Sequence, residues 1–204
     1  RVAIGAGWNA DGGNEAGHVR VFEYDSSSWI QLGADIDGEA AGDRSGRGVS
    51  LSSDGNRVAI GAYLNDDGGS DAGHVRVFDF DLLSSSWVEM GADIDGDEAY
   101  GYSGTAVSLS GDGSRVAIGA YNAGMGGEVR VWQLAYLPSG EPTGQPSQPS
   151  GQPTGQPTYG AREWFQVGAS IDGEGAGDLH GRFVSISSYG NRVAVGGITN
   201  DGAN

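Results

Sequence analysis

The chain has 204 residues, of which 27 are acidic and 11 basic, and its formal net charge at pH 7 is −16. This excess of negative charge argues against nucleic acid and anionic membranes as partners, because both require a basic surface. The chain has no cysteine, which excludes disulfides, thiolate metal sites and a cysteine nucleophile. No apolar stretch approaches the roughly 18 residues that a membrane-spanning helix needs.

A hairpin motif recurs along the chain. It begins as RVAIGA at residues 1–6 and is complete as VSLSSDGNRVAIGA at 49–62, as VSLSGDGSRVAIGA at 107–120 and as VSISSYGNRVAVGG at 184–197. In each full copy, two alternating apolar runs flank an Asp-Gly or Tyr-Gly turn, which predicts two antiparallel strands, here called strands a and b.

Two further strands are predicted between the copies of the hairpin. In the second repeat a Gly- and Asp-rich loop leads to strand c at 74–80, strand d follows at 87–91, and an acidic loop returns to the next strand a. The repeat is about 57 residues long, and four antiparallel strands per repeat of this length are typical of a propeller blade. We therefore expect an all-β fold, a β-propeller of four-stranded antiparallel blades, with this chain as a fragment of a larger propeller. A β-solenoid is the alternative, but its rungs are shorter.

The blade prediction specifies the core. Because each blade is covered by neighbours on both faces, the alternating apolar residues of strands b and c should be buried. These residues are Val58, Ile60, Val75, Val77, Val116 and Ile118. The tryptophans that recur at the start of strand d are also expected to pack between blades.

A proline-rich segment interrupts the repeats and contains all six prolines of the chain. Three parts are therefore predicted: blades over 1–136, a Pro/Gly/Gln/Ser/Thr-rich linker over 137–160, and a continuation of the repeats over 161–204. The linker should be extended and polyproline-II-like. It is either a bare tether or an O-glycosylated stalk, with glycosylation predicted at Thr143, Ser147, Ser150, Thr154 and Thr158.

The repeated residues also carry a resemblance to a known family. A glycine precedes each strand a (Gly46, Gly104, Gly181), and it is followed by the Asp-Gly turn, the VAIGA strand and a G-x-V-x-V-(F/W) strand. This pattern resembles the FG-GAP repeats of integrin-α-type β-propellers, which implies the propeller fold. In that family the a–b turn often carries a D-x-D-x-D-G calcium loop. The turns here, SSDGNR, SGDGSR and SSYGNR, lack that pattern, so the family's metal site is not carried over.

The proline-rich insert has a resemblance of its own. Its tandem PTGQPS-like runs are similar to those of secreted and cell-surface proteins of heterokont algae and oomycetes. This implies an extracellular or cell-surface location, in a wall, surface or flagellar-hair assembly.

The blade topology predicts that acidic residues gather on one side of the molecule, because the b–c and d–a loops leave the same edge of each blade. The D-I-D-G sequences in these loops place carboxylates close to a glycine turn, which suits Ca²⁺, an ion that prefers oxygen ligands. Ca²⁺ is therefore the one cofactor predicted, and the predicted ligands are Asp93, Asp95, Asp97, Asp35, Asp37 and Glu39. Solvated loops, or aspartates that cap their own turns, are the alternatives.

Other polar and aromatic residues have separate predicted roles. Trp8, Asp66, Asp67 and Asp71 lie in b–c loops and are predicted to contact a partner or a glycan. Arginines recur at fixed places in strands b and c, where we expect Arg–Asp pairs that link neighbouring blades. The histidines at the start of strand c are expected to be structural.

These observations predict a non-enzymatic, extracellular structural or adhesive module. It would bind a protein or glycan partner through its acidic loops, with Ca²⁺ as an accessory, and assemble with copies of itself or with other surface proteins. Nucleic-acid binding and membrane insertion are not expected. The alternatives are a polysaccharide-active enzyme on a propeller scaffold, for which no constellation of catalytic residues is distinguishable, and a passive scaffold for another domain.

Overall fold

The computed structural model describes residues 1–136 and 162–198. Over these ranges the regular secondary structure is β-strand, because apolar residues alternate with polar ones and turns follow at short intervals. None of the described residues forms a helix that is long and apolar enough to cross a membrane. The predicted linker, with its five predicted glycosylation residues, lies outside the described residues.

Within the described residues, four antiparallel sheets follow one another in chain order. The first contains β1 (Val2–Ala6), β2 (His18–Tyr24), β3 (Trp29–Gln31) and β4 (Ile36–Asp37). The second contains β5 (Gly48–Leu51), β6 (Arg57–Ala62), β7 (His74–Asp81), β8 (Ser86–Glu89) and β9 (Ile94–Asp95). The third contains β10 (Ser103–Leu109), β11 (Arg115–Ala120), β12 (Glu128–Tyr136), β13 (Arg162–Gln166) and β14 (Ile171–Asp172). The fourth contains β15 (Phe183–Ile186) and β16 (Val193–Gly196).

The strand order within the sheets agrees with the predicted blade. The second sheet runs β5-β6-β7-β8 and the third runs β10-β11-β12-β13, with antiparallel pairing throughout. Each of the first three sheets also has a short additional strand that the sequence analysis missed. This is the Ile-Asp segment of β4, β9 or β14, which pairs with the start of strand c beyond the end of strand d.

The sheets stack face to face in chain order, and their contacts form the core. One apolar cluster joins the first and second sheets, another joins the second and third, and a third joins the third and fourth. The six residues predicted to be buried, from Val58 to Ile118, are each at most 2% exposed, which confirms that prediction. The indole N–H of Trp87 donates to the Leu32 carbonyl oxygen (2.9 Å), and that of Trp164 donates to the Met90 carbonyl oxygen (2.8 Å), so these two tryptophans pack on the preceding sheet. Trp29, at the same position of the first sheet, is 55% exposed, and for it the packing prediction is wrong.

Glycine allows the sheets to approach closely at one repeated position. A Cβ atom on Gly61 of β6 would lie 1.9 Å from the carbonyl oxygen of Gly104 in the next sheet. Gly119 of β11 has the same relation to Gly181, at 2.0 Å. A side chain at either position would therefore force neighbouring sheets apart, which explains the glycine in the VAIGA strand.

The architecture is consistent with a β-propeller-like fold: an all-β stack of antiparallel, blade-like repeats.

Candidate functional site

The loops between strands b and c and those between strands d and a lie on one edge of the stack. We call this the acidic edge: residues 7–17, 34–47, 63–73, 92–102, 121–127 and 169–181. Contacts between its loops show the arrangement: the Gly38 N–H donates to the Gly17 carbonyl oxygen (2.8 Å), and Arg44 pairs with Glu15 (2.8 Å). The a–b and c–d turns form the opposite edge, which we call the turn edge: residues 25–28, 52–56, 81–85, 110–114 and 187–191.

Aspartates on the turn edge cap their own turns. Asp54 accepts hydrogen bonds from the Ser52 hydroxyl (2.6 Å) and from the Asn56 backbone N–H (3.0 Å). These bonds favour the ionised carboxylate, and the bond from Ser52 contributes most to lowering the pKa of Asp54 to about 2. Asp112 repeats the pattern with Ser110 and Ser114. The turn-capping alternative of the sequence analysis therefore holds on this edge.

The arginines at the start of strand b also serve the turn edge. Arg57 pairs with Asp79 in its own sheet, with 2.7 Å between Nη2 and Oδ2, and its Nη1 donates to the Gly113 carbonyl oxygen of the next sheet (2.9 Å). Arg115 makes the same contact with the Gly190 carbonyl oxygen (2.9 Å). At these positions the link between sheets is thus an arginine–carbonyl bond, whereas the Arg–Asp pair lies within one sheet.

The arginines of strand c link neighbouring sheets through carboxylates on the acidic edge, as the sequence analysis expected. Arg76 Nη1 lies 3.3 Å from Glu39 Oε1, which precedes the second sheet. One repeat later, Arg130 Nη1 lies 3.2 Å from Asp97 Oδ2, which precedes the third sheet. Both arginines are nearly buried, so these pairs help to specify how successive sheets are positioned.

Four titratable side chains converge beside Arg76 on the acidic edge. Glu39, Asp67, His74 and Asp93 each offer one potential ligand atom, and these atoms all lie within 4.8 Å of one another. Three parts of the chain contribute to the group: the loop that enters the second sheet, the loop between β6 and β7, and the segment before β9. His74 is the first residue of β7. We call this group the His74 cluster.

His74 is buried in the middle of this group. Its residue surface is 1% exposed, and its Nδ1 has no hydrogen-bond partner. The nearest carboxylate oxygens are Asp93 Oδ2 at 3.7 Å and Glu39 Oε2 at 3.9 Å, both beyond hydrogen-bonding distance. Burial lowers the pKa of His74, which favours the neutral imidazole with a lone pair on one ring nitrogen.

The carboxylates of the cluster have the opposite electrostatic character from those of the turn edge. Burial raises the pKa of Asp93 to about 6. Burial also raises the pKa of Glu39, with contributions from the charges of Asp93 and Asp67, although Arg76 acts against the shift. Negative charge is therefore concentrated here, and the Arg76 guanidinium offsets it only in part.

Only some of the predicted metal ligands converge. Asp93 and Glu39 belong to the His74 cluster, together with Asp67, which was predicted as a partner contact. Asp97 pairs with Arg130, and Asp35 accepts a hydrogen bond from Gln31 (2.7 Å). Asp37 and Asp95 are exposed, and they pair through the backbone with the first residue of strand c in their own sheets.

Sequence reasoning missed the histidine of this cluster. His18 and His74 hold equivalent places, so repetition made both appear structural. The signal that could have separated the two histidines lies in the loops around His74. Glu39 comes from the loop that precedes the second sheet, whereas Asp67 and Asp93 come from loops of the second repeat. Within the part of the chain that the structure describes, the His74 cluster is the group of this type that forms.

Trp8 lies at a separate place on the acidic edge. It is 68% exposed, and the Arg44 guanidinium stacks on its ring at 3.8 Å from the centroid. Arg44 also donates to the Tyr63 hydroxyl (2.9 Å), and the three side chains line a cavity of about 300 Å³. Asp66 and Asp71, which were also predicted to contact a partner, bond to each other within their loop. The Asp66 carboxylate accepts a hydrogen bond from the Asp71 backbone N–H (2.8 Å).

Comparison with known proteins agrees with the repeat architecture. Residues 35–78 match the FG-GAP repeat, a range that begins before β4 and ends in β7. No curated protein sequence matches the chain. The match supports the resemblance drawn from the glycine, turn and strand pattern, and it suggests an integrin-like β-propeller module.

Proposed function

We propose that this chain is a non-enzymatic, extracellular structural or adhesive module that binds a protein or glycan partner through its acidic edge. The observation that carries the proposal is the contrast between the two edges. The carboxylates of Asp54 and Asp112 on the turn edge accept hydrogen bonds from their own turns. The acidic edge keeps exposed carboxylates such as Asp37 and Asp95, together with the exposed Asp66, which accepts one bond from the Asp71 backbone N–H. The extracellular location is proposed from the FG-GAP match together with the resemblance of the proline-rich insert.

The charge of the acidic edge favours a partner with a basic surface. With a net charge of −16, the chain attracts cationic surfaces over distances that exceed direct contact, and this increases association rates at low ionic strength. Trp8 adds an apolar contact to this charged surface. An exposed aromatic ring beside a cavity can anchor an interface or stack on a sugar.

Binding of defined probes tests the proposal. The full chain is titrated with a hexa-arginine peptide and, separately, with a neutral cell-wall oligosaccharide, at low and at high salt. We expect the triple variant Asp37→Asn/Asp66→Asn/Asp95→Asn to bind the peptide at least about tenfold more weakly and with less salt dependence. Trp8→Ala should weaken binding of the oligosaccharide.

The matched control neutralises Asp25 and Asp81 on the turn edge. Asp25→Asn/Asp81→Asn should bind the peptide nearly as well as the unmodified chain, because neither residue lies on the acidic edge. Equal weakening by both sets of substitutions would mean that only net charge matters. That outcome, or no binding of either probe, would contradict a partner site on the acidic edge.

Calcium has a secondary place in this proposal, as a weakly held counter-ion of the exposed loop carboxylates. A ligand that binds only the folded state stabilises it by mass action. Millimolar Ca²⁺ should therefore raise the melting temperature relative to chelator. A melting temperature that does not change between excess Ca²⁺ and chelator would remove calcium from the proposal and leave partner binding untouched.

A further inference from the structure

We propose that Glu39, Asp67, His74 and Asp93 form a binding site for a divalent transition-metal ion of the zinc class. This inference goes beyond the proposed function. It concerns an ion held by the isolated chain, and it stands or fails independently of any partner on the acidic edge.

The first argument is the state of His74. A buried ring nitrogen without a hydrogen bond is costly, and native structures rarely leave one unexplained. The Nδ1 atom of His74 is such a nitrogen, and it faces two carboxylate oxygens that are too distant to accept a hydrogen bond from it. An ion placed between these atoms would accept the nitrogen lone pair and satisfy all of them at once.

The second argument is the spacing of the potential ligand atoms. Zinc binds histidine nitrogen and carboxylate oxygen at about 2.0–2.2 Å, so two ligand atoms on one tetrahedral ion are roughly 3.4 Å apart. The separations of 3.7 and 3.9 Å from Nδ1 to Asp93 and Glu39 are close to this value. Asp93 and Glu39 need to move by only a few tenths of an ångström toward this spacing, and the other separations within the cluster are at most 4.8 Å. The exposed side of Glu39 and Asp67 leaves a path for the ion to enter.

The third argument is charge balance. Three carboxylates contribute three negative charges, and the neutral imidazole contributes none. Arg76, which lies 3.3 Å from Glu39 Oε1, supplies one positive charge. A divalent cation supplies the other two, and the site becomes neutral. Glu39 can serve both partners, because Oε1 faces Arg76 while Oε2 faces His74.

A supporting shell already orients one of the ligands. The buried Asn65 accepts a hydrogen bond from the Asp67 backbone N–H (2.9 Å), and its Nδ2 approaches Asp67 Oδ2 at 3.5 Å. The same amide group donates to Asp43 (3.1 Å), which is also buried. Hydrogen bonds of this kind commonly hold metal ligands in place.

The cluster is not imposed by the repeat, because the third sheet replaces three of the four ligands. Glu128 stands in the place of His74 and Ser170 in that of Asp93, and the shorter loop at 121–127, which corresponds to the loop that carries Asp67, contains no acidic residue. There Arg130 approaches both Asp97 (3.2 Å) and Glu128 (3.1 Å), so ion pairs neutralise the site. The same position thus carries the His74 cluster in the second sheet and arginine ion pairs in the third.

The first sheet provides a second comparison. His18 is as buried as His74, and its Nδ1 lies 3.4 Å from Asp35. Among the described residues this pair is not joined by further carboxylates into a group of three. A histidine with one acidic neighbour is therefore repeated in the fold, whereas the four-residue group occurs around His74.

The mixture of ligand atoms selects the kind of ion. Imidazole nitrogen suits zinc, copper, iron and nickel, whereas Ca²⁺ requires six to eight oxygen ligands. One nitrogen with three carboxylates around a compact centre therefore favours a small transition-metal ion over Ca²⁺. Because Glu39 precedes the second sheet and the other ligands lie within the second repeat, the ion would also tie the entry loop to that sheet.

Calorimetric titration of the full, metal-free chain with Zn²⁺ tests the inference, using protein without a histidine tag and a buffer that does not bind metal. We expect one equivalent of Zn²⁺ to bind, and millimolar Ca²⁺ to leave that binding in place. His74→Gln should weaken the affinity by at least about tenfold, since loss even of an outer-shell contact can have an effect of that size. Glu39→Gln, which keeps a side-chain oxygen for Arg76, should do the same.

His18→Gln is the matched control, because it removes an equally buried histidine from the equivalent position of the first sheet. It should leave the affinity for Zn²⁺ unchanged, and the far-ultraviolet circular dichroism of each variant in chelator confirms that it is folded. Several weak equivalents that do not respond to His74→Gln or Glu39→Gln would show nonspecific binding to the acidic surface and overturn the proposal. Absence of binding, or displacement of Zn²⁺ by millimolar Ca²⁺, would overturn it as well.

Discussion

The two edges of the stack use the same residue type for different purposes. On the turn edge, Asp54 and Asp112 each accept hydrogen bonds from a serine hydroxyl and a backbone N–H, and these bonds lower the pKa of both carboxyls. On the acidic edge, burial is the first cause of the raised pKa of Asp93 and Asp95, and neighbouring negative charges add to it. Ionisation thus favours folding on one edge and opposes it on the other.

This difference separates structure from function within a repeat protein. A carboxylate that stabilises its own turn is explained by folding alone. Carboxylates held together at a cost to stability need another explanation, because a protein that gained nothing from them would be more stable without them. The contrast therefore supports placing the proposed function on the acidic edge. The variants below test whether carboxylates stabilise the fold on the turn edge but not on the acidic edge.

The largest expected effect is at Arg57, which supports the turn edge from the second sheet. Arg57→Met removes the pair with Asp79 and the bond to the Gly113 carbonyl oxygen, both in half-buried surroundings. We expect the free energy of unfolding in urea to fall by about 2–3 kcal/mol, somewhat less than for a fully buried pair. Arg192→Met, at the equivalent but exposed position of the fourth sheet, should change it by less than about 0.5 kcal/mol. Equal effects would show that the link between sheets is unimportant.

A smaller effect is expected when equal charges are removed from the two edges. Asp54→Ala should lower the free energy of unfolding by about 1–2 kcal/mol, because the Ser52 hydroxyl and the Asn56 N–H lose their acceptor. Asp37→Ala removes an exposed carboxylate from the acidic edge and should be neutral or slightly stabilising. Comparable destabilisation by both substitutions would remove the distinction between the edges.

The pH dependence of the Asp54 turn isolates the contribution of charge. The pKa of Asp54 is about 2 in the folded protein, below the 3.8 of the free side chain, so its ionised form stabilises the fold at pH values above about 4. That stability is lost as the pH falls from about 4 to about 2. Asp54→Asn keeps an acceptor but lacks the charge, so its melting temperature should lie below that of the unmodified chain at pH 5 and approach it near pH 2.5. A constant difference across this range would mean that the charge is irrelevant.

The fold could be predicted from the sequence because its signals are local and repeated. Alternating apolar residues after an Asp-Gly turn predicted β6 to the residue, and the alternating run that begins at His74 predicted β7 nearly to the residue. The close approach to the next sheet at Gly61 was not predicted. The short strands β4, β9 and β14 were missed because each is two residues long. In β9 a single apolar residue, Ile94, stands among acidic neighbours and gives no periodic pattern.

The candidate site was only partly predictable because it depends on how sheets stack. Asp93 and Asp97 are four residues apart and were grouped as ligands of one ion. In the structure the chain passes from one sheet to the next within this run, so Asp93 faces His74 of its own sheet while Asp97 pairs with Arg130 of the following one. Glu39, distant in sequence, approaches the cluster from the opposite direction. Proximity along the chain therefore pointed to Asp93, Asp95 and Asp97 as ligands, and of these three only Asp93 belongs to the His74 cluster.

The smallest expected effect is a gain of stability on the acidic edge itself. Burial, with the charges of Asp93 and Asp67, raises the pKa of Asp95, so its negative charge opposes folding at neutral pH. In chelator, Asp95→Asn should raise the free energy of unfolding by roughly 0.5 kcal/mol, the scale of weakly screened surface charges. The gain should shrink in 1 M NaCl, where the Debye length is only about 3 Å.

Asp25→Asn on the turn edge should instead destabilise the chain, because Asp25 accepts hydrogen bonds from the backbone N–H groups of Ser27 and Ser28. If Asp95→Asn also destabilised the chain, the carboxylates of the acidic edge would be structural like those of the turn edge, and the case for function there would rest on the His74 cluster alone.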